Sequence, residues 1–269
     1  MPADPRSRMK RAGAVHLAVF LVVTLAVLAF PAPAPAQPPS PPGPAATPLD
    51  PAIQALGEGR FADADRLATQ GTAAGGAQRL VALALKARIL AAQGKVDAGI
   101  ALLDPQKSAQ GLGGRRVRLE LGELLIRAGR RAEAEPLLLE FASEYGSDAI
   151  NSSDAEGLAM VGRAMHLLRH AKDANTAFKE SVRADPKRPE TLLWWAELFE
   201  DYYDPGDAEA ELIDALGLAP KNADATAMMA RLKLDEAFDF DAAEKLVKDA
   251  LAVDPKHTGA LAVRAGIAL

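Results

Sequence analysis

Three short turns at a fixed spacing constrain this chain more than anything else in it. Gly59-Arg60-Phe61-Ala62-Asp63-Ala64, Gly94-Lys95-Val96-Asp97-Ala98 and Gly129-Arg130-Arg131-Ala132-Glu133-Ala134 each begin 35 residues after the one before. In each, glycine suits a tight turn, and small residues follow where a second helix must pack closely. A recurrence of that length marks supersecondary units that bury their apolar faces only by stacking on one another. The stretch from Ala155 to Arg188 shows one unit without a gap. Leu158, Val161, Gly162 and Met165 fall at i, i+3, i+4 and i+7, and Ala174, Ala177, Phe178 and Ser181 repeat that spacing. Both patterns predict one apolar helix face each. Gly162 and Ala174 are small where two antiparallel helices approach, Phe178 fills the space beside them, and Pro186 ends the second helix.

Leu158-x-x-Val161-Gly162-x-x-Met165, Ala174-x-x-x-Phe178 and Pro186 together resemble the 34-residue tetratricopeptide (TPR) repeat. The resemblance implies an all-α fold, a TPR-type right-handed superhelical solenoid of antiparallel helix pairs, over residues 50–269. About six repeats are expected, with the first helix of a seventh. Asp50-Pro51 reads as an N-cap followed by proline at the first helical position. The second unit runs from about Leu80, its second helix cut short at Asp104-Pro105, and Gln106 to Gly114 reads as a Gly-rich linker. The third unit spans 115–148, and 149–154 is an insertion with Asn151, Ser152, Ser153 and Asp154 available as caps. The fifth unit spans 189–222 and the sixth 223–257, with one extra residue near Asp239-Phe240-Asp241. Residues 258–269 begin a seventh. Its apolar Leu261, Val263, Ile267 and Leu269 have no partner in the sequence, so a longer parent chain or a covering subunit is expected.

The first 36 residues read as a signal peptide. Arg6, Arg8, Lys10 and Arg11 precede an apolar run from Ala14 to Phe30, and Ala34-Pro35-Ala36 supplies small residues for cleavage before Gln37. An uncleaved anchor formed by residues 14–30 is the alternative, and a membrane enters only in that case. Export to the periplasm or cell exterior follows from the first reading. Ten of the nineteen prolines lie between Pro31 and Pro51, so residues 37–49 read as a stiff linker. Removing four basic residues and Asp4 leaves 27 basic against 35 acidic residues, a poor composition for nucleic-acid binding.

Catalytic patterns are missing. With no cysteine the chain has no disulfide, thiolate metal site or thiol nucleophile. His166 and His170 would share a helix face, yet no glutamate follows the first, and Arg169 would repel a cation. The acidic run around Asp235, Glu236, Asp239 and Asp241 lacks the spacing and glycine of a calcium loop. No phosphate loop, dinucleotide fingerprint or nucleophile elbow is present. No enzyme activity and no cofactor are therefore expected of this chain. Trp195 takes a packed repeat position, while Trp194 either wedges against a neighbouring helix or offers its indole to a ligand.

TPR arrays hold peptides or protein segments on a concave wall of first helices, so the resemblance implies a non-enzymatic binding scaffold in the bacterial envelope. By the same resemblance, Arg116, Glu123 and Arg127 face that wall in the third unit, and Glu156, Arg163 and His166 in the fourth. Glu190, Trp194, Glu197, Glu200 and Asp201 follow in the fifth, and Asp224, Arg231 and Asp235 in the sixth. The excess of carboxylates in the last two units suits a basic or neutral segment; a solvated acidic face without a ligand is the alternative. The segments 194–199 and 204–209 also resemble the TPR region of secreted bacterial proteins with a C-terminal peptidase-MA-like domain. That implies, as a second possibility, a metallopeptidase whose catalytic part lies beyond Leu269. A structural part of an envelope assembly is a third.

Overall fold

The computed structural model describes residues 49–268; the signal-peptide reading, most of the linker and Leu269 lie outside them. The described residues form thirteen α-helices and one 3-10 turn, with no strand. They alternate as first and second helices of successive units. α1 (Asp50–Gly57) pairs with α2 (Phe61–Thr72), α3 (Gly76–Ala92) with α4 (Val96–Leu103), and α5 (Gly111–Arg127) with α6 (Arg131–Gly146). α7 (Ala155–Leu167) pairs with α8 (Ala171–Ala184), α9 (Pro189–Tyr202) with α10 (Pro205–Leu218), and α11 (Ala223–Asp235) with α12 (Phe240–Val253). α13 (Thr258–Ile267) packs on α11 and α12. The all-α repeat architecture is thus the observed one.

The recurring glycines do what their spacing implies. Gly59, Gly94 and Gly129 adopt φ of +66°, +79° and +76° in the turns between first and second helices, a region that side chains with a Cβ seldom enter. Inside the fourth unit, a Cβ added to Gly162 would fall 2.6 Å from Phe178 Cδ1, so the small residue is required by the ring beside it. Ser181, fully buried on the same face, donates its hydroxyl to Ala155 O at 2.7 Å.

Several local expectations shift. Leu49, not Asp50, is the N-cap of α1, and it is buried. Gly111 to Gly114 is not a linker but the first turn of α5. Gly113 lies so close to α3 that an added Cβ would sit 2.8 Å from Ala77 O, which leaves no room for a side chain. In the insertion, Asp154 does cap, accepting from Gly157 N at 2.8 Å, and Asn151 Oδ1 accepts from Ser153 N at 2.9 Å. In α13, Val263 is buried against Ala230 and Val247, and Ile267 packs partly on the same cluster, so this face is less bare than the sequence suggests.

The array does not run as a simple line of neighbours. A single apolar cluster extends from Leu83 and Ala87 on α3 through α5 and α7 to Trp194 and Leu198 on α9. The turn after α1 also meets the far end of the array. A Cβ at Gly57 would lie 3.2 Å from Asn222 Nδ2, and one at Gly59 would lie 2.6 Å from Asp254 Cβ. Asn222 and Asp254 sit just before α11 and α13, so the first unit touches the last ones.

Candidate functional site

The wall of first helices carries alternating arginines and glutamates that pair across units. Arg88 on α3 donates to Glu120 on α5 at 2.9 Å and to Glu190 on α9 at 2.6 Å. Arg116 on α5 donates to Glu156 on α7 at 2.7 Å and to the other oxygen of Glu190 at 2.9 Å. Arg163 on α7 bridges Glu123 on α5 and Glu197 on α9. Each of these arginines holds carboxylates from two different helices, which suits the forked geometry of guanidinium.

Trp194 closes this lattice. Its side chain is buried, and the guanidinium carbons of Arg163, Arg88 and Arg116 lie 5.7, 6.0 and 6.0 Å from its ring. The indole face attracts such cations, the more so when water is excluded. Trp194 is therefore an internal wedge, and does not offer its ring to a ligand. Trp195, expected in the core, is only half-buried and donates its indole N–H to Asn175 Oδ1 at 2.7 Å.

Titration of the lattice follows its pairing. Burial opposes ionisation of Glu190, but Arg116 and Arg88 outweigh it and hold the carboxyl well below the usual carboxylate range. Burial likewise opposes Glu123, where Arg163 and Arg88 prevail and lower it. Glu120 goes the other way: burial, with Glu123 nearby, pushes it up to about 7 against the pull of Arg88.

Farther along, Glu200 accepts from Arg231 through both oxygens, with Nε at 2.8 Å. His166 Nε2 lies 2.9 Å from Asp201 Oδ2, and burial and then Arg163 lower its pKa. His166 is therefore neutral at pH 7 and donates from Nε2, leaving its buried Nδ1 without a partner. His170 occupies the N-cap position of α8 without a side-chain cap bond and is exposed, so the two histidines share no helix face. His257, the N-cap of α13, accepts from Ala260 N at 3.1 Å and meets Asp224 Oδ1 at 2.8 Å. Asp201 and Asp224 keep 61% and 65% of their side chains in water, and Asp235 is exposed.

The wall residues of the fourth to sixth units thus divide. Arg163, Glu190, Trp194 and Glu197 are locked in the lattice, and Glu200 is paired with Arg231. Asp201, Asp224 and Asp235 remain open to solvent, and His166 lines a cleft. That open cleft, of about 620 Å³, is lined by the lattice members Arg163 and Glu197 together with Arg131, His166, Leu167, Arg169, Asp201 and Tyr202. Sequence reasoning missed Arg88 and Glu120, which complete the lattice from the second and third units. Arg88 was legible in the repeat register, 35 residues before Glu123, whereas Glu120 lies between the wall positions of α5 and carried no such signal.

The fold has a counterpart among solved structures. TTC0263, a thermophilic TPR protein in Thermus thermophilus, superposes with a TM-score of 0.54 at 19% identity, over 72% of this chain and 97% of that one. The fold is a TPR fold. Two further TPR-like structures are YrrB, a TPR protein with an unusual peptide-binding site (TM-score 0.43, 15% identity, 68% of this chain and 90% of that one), and MamA (0.40, 16%, 62% and 93%). No family model and no curated protein matches the sequence. Within this TPR fold, then, the inner wall of α3 to α9 is occupied by the chain's own side chains, and its open carboxylates lie on α9 and α11.

Proposed function

We propose that this protein is an exported, non-enzymatic scaffold that holds a basic or neutral segment of a partner protein on the wall formed by α9 and α11. The observation that carries this reading is the exposure of Asp201, Asp224 and Asp235 on that wall, while the carboxylates of α5, α7 and the start of α9 are already matched by arginine. Asp201 and Asp224 each meet a histidine and no arginine, and such exposed carboxylates attract cationic side chains over a range set by a Debye length of ~8 Å at physiological salt. Export is supported by the basic start, apolar run and small-residue site before Gln37. The metallopeptidase alternative gains no support from the segments that suggested it, since Trp194 is an internal wedge and Asp204 caps α10 by accepting from Gly206 N at 2.7 Å.

The test is binding of arrayed peptides of graded charge to the purified protein. Basic peptides should bind more tightly than acidic ones of equal length, binding should weaken with salt, and Asp201→Lys with Asp224→Lys should reverse the preference. A preference for acidic peptides, or one that ignores both substitutions, overturns the proposal.

A further inference from the structure

The turns between first and second helices carry mixed charge in the first two units and are polarised across the third to sixth. Residues 127–133 hold three arginines against Glu133, and 167–173 hold Arg169 and Lys172 against Asp173. By contrast, 201–207 hold three aspartates, and 235–241 hold Asp235, Glu236, Asp239 and Asp241; neither of these two turns has a cation. The acidic half of this run of turns is also aromatic. Tyr202, Tyr203, Phe238 and Phe240 are 44, 43, 71 and 52% exposed. They are four of only thirteen aromatic residues in the chain (two Trp, three Tyr and eight Phe).

Phe238 is the unusual member. It adopts φ of +51°, in the part of the first-to-second-helix turn where Gly59, Gly94 and Gly129 have positive φ without strain. A bulky residue in a left-handed conformation, with its ring in water, breaks two local preferences at once, and such sites mark function more often than packing. The matching shape lies where the two halves meet: Arg131 and Arg169 face Asp201 and Tyr202 across one open cleft. The cleft of about 620 Å³ falls within the ~300–1,000 Å³ typical of sites that enclose a ligand. Arg131 and Arg169 at its margin have no carboxylate within ion-pair distance among the described residues, although Arg131 donates to Leu167 O at 3.0 Å.

We propose that this protein forms a two-fold dimer in which the Phe238–Phe240 turn of each copy seats in the Arg131/Arg169 cleft of the other. A run of turns that goes from basic to acidic is complementary to itself when a second copy lies antiparallel along it. A two-fold axis then makes both contacts together. Aromatic anchors in a pocket ringed by charge pairs are the usual makeup of such an interface. The cleft shares Asp201 and Glu197 with the α9 wall, so the dimer contact would compete there with a bound segment, while Asp224 on α11 does not line it.

Sedimentation equilibrium of the full chain tests this. The wild type should be dimeric, with association weakening as salt rises. Phe238→Gly with Phe240→Ala should weaken association by roughly thirty-fold or more, without loss of the helical signal, because glycine relieves the left-handed backbone. Asp241→Arg and Arg169→Asp should each give monomers alone, and their mixture should restore the dimer, since only the heterodimer matches both charge pairs. A monomeric wild type overturns the proposal. So does association that persists in the double Phe variant, which would place the contact elsewhere, for instance in the apolar N-terminal segment. A mixture that stays monomeric overturns the two-fold pairing.

Discussion

Replacing Glu190 with glutamine isolates the contribution of the inner lattice. Glu190 accepts from Arg88 at 2.6 Å and from Arg116 at 2.9 Å, and its side chain is 21% exposed. Each such charge-assisted bond contributes ~1.5–3 kcal/mol, and breaking one member of a buried pair costs ~3–5 kcal/mol. The loss here is partly offset, because Arg88 keeps Glu120 and Arg116 keeps Glu156. We therefore expect Glu190→Gln to destabilise the protein by about 3 kcal/mol, the lower end of that range. For a chain of this size that lowers Tm by roughly 6–12 °C. Glu133→Gln is the control. Its pair with Arg130 is 57% and 44% exposed, so its loss should be small beside that of Glu190. Urea and thermal unfolding of the two variants and the wild type give the comparison. The pH dependence adds a second check. Because the carboxyl of Glu190 is lowered on folding, its contribution is present above the unfolded value near ~4.3 and is lost as pH falls through the folded one. The gap between wild type and Glu190→Gln should hold steady from pH 5 to 8 and shrink below pH ~4. If Glu190→Gln costs no more than Glu133→Gln, or if the gap closes near neutral pH, the lattice contributes nothing beyond an ordinary surface pair.

Other substitutions probe separate features. Trp194→Ala should cost about 4 kcal/mol, by cavity formation together with loss of the three cation–π contacts; denaturant titration that finds under 1 kcal/mol would mean the ring is not a wedge. Gly162→Ala should cost roughly 1–3 kcal/mol, because the new methyl meets Phe178 at 2.6 Å, and a neutral result in thermal unfolding would show that the ring can yield. On α10, burial and then Asp214 and Asp207 push Glu211 up to about 7. A raised carboxyl favours folding at low pH, and that contribution is lost as pH rises through the folded value. Glu211→Gln should therefore gain on the wild type between pH 5 and 8, by ~1–2 kcal/mol at the upper end after allowance for partial solvation; a difference that is flat across this range would refute the shift.

The architecture was legible because it is written many times over. One unit with Gly162 opposite Phe178 is suggestive, and three glycine turns 35 residues apart settle the period. α9 begins at Pro189, α10 at Pro205 after its cap Asp204, and α11 follows its cap Asn222. The Gly111–Gly114 run misled because a glycine-rich run reads the same whether it is a linker or a close helix crossing. Only the approach of α5 to Ala77 O distinguishes the two. The wall was legible as a face but not as a partnership. Register says which side chains point inward; it does not give the curvature that lets Arg88 reach a glutamate 102 residues away. Counting carboxylates by register therefore overstated the free acidic charge, since Glu190, Glu197 and Glu200 are matched by arginines on other helices.

A stack of helix pairs joined only to their neighbours behaves as a spring, because each joint yields a little and the yields add. The bridges from Arg88 and Arg116 to Glu190 tie α3 and α5 directly to α9 and short-circuit the joints between them. Beyond α9, Glu200–Arg231 and Asp224–His257 connect only one first helix to the next. Stiffness is therefore distributed unevenly. Under a pulling force the segment from α3 to α9 should resist until the clasp fails and then lengthen abruptly. The last units have one pair at each joint and the seat of Gly57 and Gly59 against Asn222 and Asp254, so they should give way first and take that seat with them.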